Sequence, residues 1–423
     1  MKLLIRNTIV IDPASPYHGK SVDVFIEGDK ITGIGTGLKH KADRELAVPG
    51  CHLSPGWVDL GAQPMDPGYE HREDLQSLAR AAAAGGFTTL AVFPNTLPPV
   101  QGKAEVAYLL NQTRESLVRF LPIGAVSEHC DGKQIAELMD MYHAGAVAFS
   151  DGQHPIQNSG LMLRALQYVR AFDGLVINRP HEAGLSPEGQ IHEGVVSASL
   201  GLRGIPNLAE ELMVLRDLYL NDYAGSRLHL YGLSSAHSVQ LVRDARARNL
   251  RVSASVPVLN LAYDDRALTD FDPLFKVLPP LRGKSDQDGL KQGLKDGTLD
   301  LIVSNHIPVE EEGKKLEFPY ADFGALGLET TFGLARKALE NTLSLEELIV
   351  KMAINPRKLL GIEPACVREG SRADLSLFLP HEKWTVEPKH LRSKSTNSPL
   401  LGETLTGMPI GVVHRGKADF FNQ

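Results

Sequence analysis

Leu90-Ala91-Val92-Phe93-Pro94-Asn95-Thr96 is a short apolar run that stops in turn-forming residues, and it reads as a strand followed by a loop. The same construction recurs along the chain. Leu175-Val176-Ile177 runs into Asn178-Arg179-Pro180, Leu228-His229-Leu230-Tyr231 into Gly232-Leu233-Ser234, and Leu299-Asp300-Leu301-Ile302-Val303 into Ser304-Asn305-His306. Helical stretches lie between these runs. In one of them Leu208, Leu212, Leu215 and Tyr219 follow i, i+4, i+7, i+11 spacing, which predicts a single buried face. Gly85-Gly86 reads as a helix C-terminus before the next strand. Strand–helix units repeated over roughly 300 residues predict an α/β fold of the (β/α)8, TIM-like kind. In such barrels the chemistry sits at the C-terminal ends of the strands, where these polar punctuations fall.

Outside this region the pattern changes. Val22, Val24 and Ile26 alternate with polar positions, Gly28-Asp29 turns the chain, and Lys30-Ile31-Thr32-Gly33-Ile34 returns. Near the other end Leu375, Leu377 and Leu379 alternate, and Val412 to Phe420 reads as a hairpin around Arg415-Gly416. The two β segments predict one small β-sandwich built from both termini. The expected division is residues 1–50 and 366–423 for the sandwich and 51–365 for the barrel.

Of the 423 residues, 43% are hydrophobic and 22% charged, which suits a soluble globular chain with a large core. A net charge of -7 argues against nucleic acid as the main partner. Cys51, Cys130 and Cys366 are odd in number and far apart, so they form neither a disulfide framework nor a CxxC metal site. The N-terminus enters a strand pattern without the apolar core of a signal peptide, and no apolar run is long enough to span a bilayer. A cytoplasmic protein with reduced cysteines and no membrane partner is expected. No P-loop, GxSxG, HExxH or CxxC device is present.

Several ordered motifs carry a family resemblance. They are Pro55-Gly56-Trp57-Val58-Asp59, Asp66-Pro67-Gly68, Glu73-Asp74, Gly85-Gly86-Phe87-Thr88-Thr89, Phe93-Pro94-Asn95-Thr96 and Gly145 to Asp151. They continue with Glu193-Gly194, Gly201 to Pro206, Pro279-Pro280-Leu281-Arg282, Gly327-Leu328-Glu329-Thr330, Asn355 to Gly361 and Ser393-Lys394-Ser395. In this order and over nearly the whole chain, the sequence closely resembles dihydroorotase of the cyclic amidohydrolase superfamily.

The resemblance implies a divalent-metal site whose ligands are an HxH pair, a lysine or aspartate, two later histidines and a final aspartate that is also the general base. Matched residue by residue, the HxH pair falls on Gly61 and Gln63, the carboxylate is kept as Asp151, and the next histidine falls on Arg179. The following His-x-x-His keeps His229 but ends in Gly232, and the final aspartate falls on Asn305, which cannot take a proton from water. The family's substrate-holding arginine and histidine fall on Met65 and Val309, while its asparagine is retained as Asn95. Bound zinc lowers the pKa of its water from about 15.7 to about 7. With about five ligands gone, no recognisable cage remains to hold the metal.

Three readings are carried from here. The first is a non-catalytic dihydroorotase-like homologue without zinc, self-associating and acting as a structural or regulatory partner of aspartate transcarbamoylase. The second is an active hydrolase of a cyclic amide (dihydroorotate, a hydantoin or allantoin) with zinc in a rebuilt site drawn from Asp59, Asp151, His181, His229 and His306. The third is a sensor in which Arg179 and Asn95 hold a carboxylate or phosphate. Against these stand plainer roles. Asp59 accepts hydrogen bonds at the barrel floor, His306 is a hydrogen-bonded structural histidine, Asn95 belongs to a turn, and Glu310-Glu311-Glu312-Gly313-Lys314-Lys315 is a solvated loop. Asp151 is either a remnant ligand or, as preferred, the partner of Arg179.

Overall fold

A computed structural model of the protein describes residues 1–421. Eight parallel strands form its centre: Trp57–Ala62, Phe87–Val92, Arg119–Gly124, Ala148–Phe149, Leu175–Asn178, Arg227–Leu230, Val252–Pro257 and Leu301–Val303. They are hydrogen-bonded side by side in chain order. The period of two sorts their side chains. Val58, Leu60, Ala91, Leu121, Ile123, Leu175, Ile177, Leu301 and Val303 share one interior cluster. Leu90, Val92, Phe120, Val176, Leu228, Leu230 and Ile302 pack in a second cluster with the surrounding helices.

The main-chain ladder does not continue between the eighth strand and the first. A side chain joins them, with one main-chain bond just beyond the strands, from the Gln63 N–H to the His306 carbonyl. Asp59 accepts the backbone N–H of Ser304 at 2.8 Å and its hydroxyl at 2.7 Å. This clasp brings the barrel close to closure and sets the mouth of the first strand beside that of the eighth.

The strands from the two chain ends form a mixed sheet. Lys2–Val10, Ser21–Glu27, Lys30–Gly35, Arg44–Leu46 and His52–Pro55 join Leu375–Thr385, Thr404–His414 and Lys417–Phe420 through the antiparallel pairing of His52–Pro55 with Leu375–Thr385. Leu3, Ile5, Val24, Ile31, Leu53, Leu377 and Val413 supply its common core. The two predicted hairpins are present, with left-handed φ at Gly28, Arg415 and Gly416 where the turns need it.

One expectation is reversed. The helix Asn207–Ala224 does not bury the Leu208, Leu212, Leu215, Tyr219 face, whose residues are 54%, 44%, 41% and 70% exposed. It buries Ala209, Glu210, Met213, Val214, Asp217, Leu218 and Asn221. The two carboxylates of that face are hydrogen-bonded inside: Glu210 by Ser234 and Ser235, and Asp217 by Asn178 at 2.6 Å and Arg216 at 2.7 Å. Spacing identifies a stripe, but the neighbouring helices decide which stripe is covered.

Candidate functional site

At the C-terminal end of the first strand, the space a side chain of residue 61 would take is filled. Gly61 has φ +92°, and a Cβ there would lie 2.6 Å from Cε2 of Tyr231 and 2.7 Å from Cε2 of Phe93. These two rings meet edge to face with centroids 4.9 Å apart, and both are fully buried. Tyr231 ends the sixth-strand run and points its hydroxyl at Oδ1 of Asn305, 3.4 Å away. Burial, reinforced by Asp59, pushes its phenol far above the ordinary range, so it stays protonated.

The other mouth residues are tied into internal structure. The backbone N–H of Gln63 bonds the carbonyl of His306 at 3.1 Å, and its side-chain amide faces Oδ1 of Asn95 at 3.5 Å. Asn95 does more than make a turn. Its Nδ2 donates to the carbonyl of Asp151 at 3.0 Å and its Oδ1 accepts the N–H of Gln153 at 2.9 Å, fastening the second strand's loop to the fourth's. Met65 and Val309 meet through Ile307 in a small apolar cluster at the rim. Asn305 holds the carbonyl of Leu278 at 3.0 Å. Gly232 has φ +72°, a conformation suited to glycine, with its nearest neighbours Pro279 and Pro257 at ordinary contact.

The five side chains of the rebuilt-site reading each have other partners. Asp59 is held by Ser304. Asp151 accepts from the N–H groups of Val126 and Ser127 at 2.9 and 2.8 Å and from the Ser127 hydroxyl at 2.6 Å. His181 faces Ser186 at 3.1 Å. His229 sits between Ser253 and Ser255 at 2.8 and 3.0 Å. His306 Nδ1 accepts from Gly327 and Leu328 at 3.2 and 3.4 Å, with Nε2 facing Glu73 at 3.7 Å. Burial raises both Asp59 and Asp151 to about 6. It lowers His229 to about 3, and with Arg179 and Arg282 it lowers His181 to about 4. Among the described residues, no three His, Cys, Asp or Glu side chains converge in a way that could hold a metal ion. A metal of the family's kind does not fit this donor set, and the rings of Tyr231 and Phe93 stand where the first ligand's side chain would begin.

The preferred Asp151–Arg179 pair does not form. The main chain of residues 126 and 127 already surrounds the carboxylate, and Arg179 donates instead to Gln153. The segment after Val309 is also less solvated than expected. Glu310 is paired with Arg72, and Lys314 is buried with its Nζ on the carbonyls of Pro273 and Asp322 at 2.9 and 2.7 Å. Tyr231, Phe93 and Gln153 had no signal in the sequence that marked them as site residues. An aromatic pair opposite a glycine is visible only once the first, second and sixth strands are brought together.

The family model described as dihydro-orotase-like matches residues 50–238. A dihydroorotase of Syntrophus aciditrophicus (strain SB) is 40% identical over 421 residues, covering 99% of each chain. One of Pelotomaculum thermopropionicum is 40% identical over 419 residues, covering 99% of this chain and 98% of its own. Among solved structures, an L-hydantoinase (dihydropyrimidinase) from Arthrobacter aurescens shares the fold with a TM-score of 0.86 at 24% identity, over 100% of this chain and 97% of that one. A dihydropyrimidinase from Brevibacillus agri NCHU1002 does so with a TM-score of 0.84 at 22% identity, over 100% and 95%. With its strand order, its terminal sheet and this full-length likeness together, the chain belongs to the dihydroorotase family.

Proposed function

We propose that this chain is a non-catalytic member of the family, a cytoplasmic scaffold of pyrimidine biosynthesis that self-associates and serves as a structural or regulatory partner of aspartate transcarbamoylase. The observation that carries the reading is the filled position at Gly61, where Tyr231 and Phe93 occupy the room a ligating side chain would need. The neutral Asn305 in place of a general base, and the hydrogen bonds that engage Asp59, Asp151 and His229, support it. The partner enzyme is inferred from the family resemblance.

The exposed helix face supports an assembly role. Leu208, Leu212, Leu215, Tyr219 and Tyr223 present a continuous apolar stripe, with Tyr223 76% exposed. Together they offer roughly 500 Å², near the upper end of what a monomer leaves bare and over half of the ~800 Å² each partner contributes to a standard interface. The charges beside the stripe are already engaged: Glu211 by Ser235 and His237, and Asp222 by Arg248. A second copy packing the same helix across a two-fold axis would cover the stripe.

The deciding experiment assays dihydroorotate hydrolysis with added zinc, using the protein alone and mixed with aspartate transcarbamoylase, alongside metal analysis of the purified protein. The reading expects no turnover by this chain and no stoichiometric zinc. Turnover that follows this chain, or one to two zinc ions per chain, would overturn it.

A further inference from the structure

Among the described residues, two neighbouring buried donors near the mouth of the barrel, on Arg179 and Gln153, have no hydrogen-bond partner. Arg179 is 5% exposed. Its Nη1 donates to Oε1 of Gln153, but its Nη2 has no partner. That bond fixes which end of the Gln153 amide is oxygen, and the remaining Nε2 is likewise buried and unpartnered. Burial lowers the Arg179 guanidinium only to about 10, so it is charged at neutral pH.

Both side chains line a cavity of about 50 Å³ that also touches His181, Pro279, Glu210 and Arg282. Glu210 and Arg282 balance each other across 3.9 Å. Both Glu210 oxygens also accept from Ser234, and Arg282 donates to the Ser234 hydroxyl at 3.1 Å and to the Ile205 carbonyl at 2.5 Å. His181 is held neutral beside the two arginines. What remains is one uncompensated positive charge and two free donors. A buried charge without a partner is strongly destabilising, and water would satisfy the donors but not the charge.

We infer that Arg179 and Gln153 form a binding site for a small singly charged oxyanion of the carboxylate class. The planar guanidinium and the adjacent amide N–H present donors that match the lone pairs of one carboxylate group. The cavity has room for a few heavy atoms, the size of formate, bicarbonate or acetate. The site is independent of whether the barrel is catalytic.

The test is thermal unfolding of the full-length protein titrated with sodium formate, acetate, bicarbonate or phosphate, balanced with sodium chloride to constant ionic strength. At least one of the first three is expected to give a saturable rise of about 3–5 °C at ~100 times its Kd. Arg179→Met should lose that response. Gln153→Glu, which sets a carboxylate beside the guanidinium, should unfold at a higher temperature than the wild type in chloride alone and ignore added oxyanion. A response to phosphate only overturns the carboxylate assignment. No response to any of the four, or an undiminished response in Arg179→Met or Gln153→Glu, overturns the site.

Discussion

Gly61→Ala is the sharpest probe of the filled barrel mouth. The substitution adds one carbon, and that carbon must lie 2.6 Å from Cε2 and 2.8 Å from Cζ of Tyr231 and 2.7 Å from Cε2 of Phe93. Neither ring can swing away cheaply, because both are fully buried and packed edge to face. Relieving the overlap costs about 1–3 kcal/mol as overpacking. The backbone adds about 1–2 kcal/mol, since φ is +92° where alanine resists positive values. The sum is ~2–5 kcal/mol, measured as a lowered urea midpoint at unchanged slope. Tyr231→Leu in the same chain should return the steric part, about 1–3 kcal/mol of coupling, and leave the backbone part in place. If Gly61→Ala lies within ~0.5 kcal/mol of the wild type, the space at position 61 is not filled in the way described. A vanishing coupling with Tyr231 would place the strain elsewhere.

Asp151→Asn keeps the acceptor for the Val126 and Ser127 N–H groups while removing the ionisation. Because burial raises the folded pKa from 3.8 to about 6, the native state holds a proton the unfolded chain has lost between those values. The wild type should therefore lose stability relative to Asp151→Asn as pH rises from 4 to 6, by on the order of 3 kcal/mol, and run parallel to it above. Parallel denaturation curves across that window would refute the raised pKa. His229 works in the opposite sense. Its folded pKa lies near 3, so stability in which it takes part rises with pH from about 3 to its unfolded value of 6.5. His229→Phe should flatten that rise and cost ~1–3 kcal/mol at pH 7 by stranding the Ser253 and Ser255 hydroxyls. An unchanged acid limb would count against it. Tyr219→Glu and Leu212→Glu leave the fold intact but should shift the protein to a smaller species in sedimentation. An unchanged assembly state in both would remove this helix from the contact between copies.

How much of this was readable beforehand differs from residue to residue. The runs at Leu90, Leu175, Leu228 and Leu301 each became barrel strands, because apolar residues bounded by turn formers leave few alternatives. The hairpin at Arg415-Gly416 was equally legible, since its turn demands positive φ at two successive positions. The stripe from Leu208 to Tyr219 is exposed despite its spacing, because amphipathic spacing carries no information about which side the neighbouring helices take. The opposite face, with Glu210 and Asp217, is the buried one, and partners distant in sequence, Ser234 and Asn178 among them, accommodate those carboxylates.

The same division runs through the site. Sequence alone determined that Gly61, Gln63, Arg179, Gly232 and Asn305 supply neither the imidazoles nor the carboxylate that a zinc ion prefers, because ligand chemistry is a property of residue type. It could also place those positions at strand ends, because strand periodicity is local. Only the tertiary structure decided what stands beside each of these strand-end residues: Tyr231 and Phe93 against Gly61, Ser304 on Asp59, the Val126 and Ser127 main chain around Asp151, and Gln153 rather than Asp151 beside Arg179. Those partners come from strands and loops far apart in the chain. Steric exclusion and hydrogen-bond satisfaction between them are settled by three-dimensional proximity, which no local pattern of residues encodes.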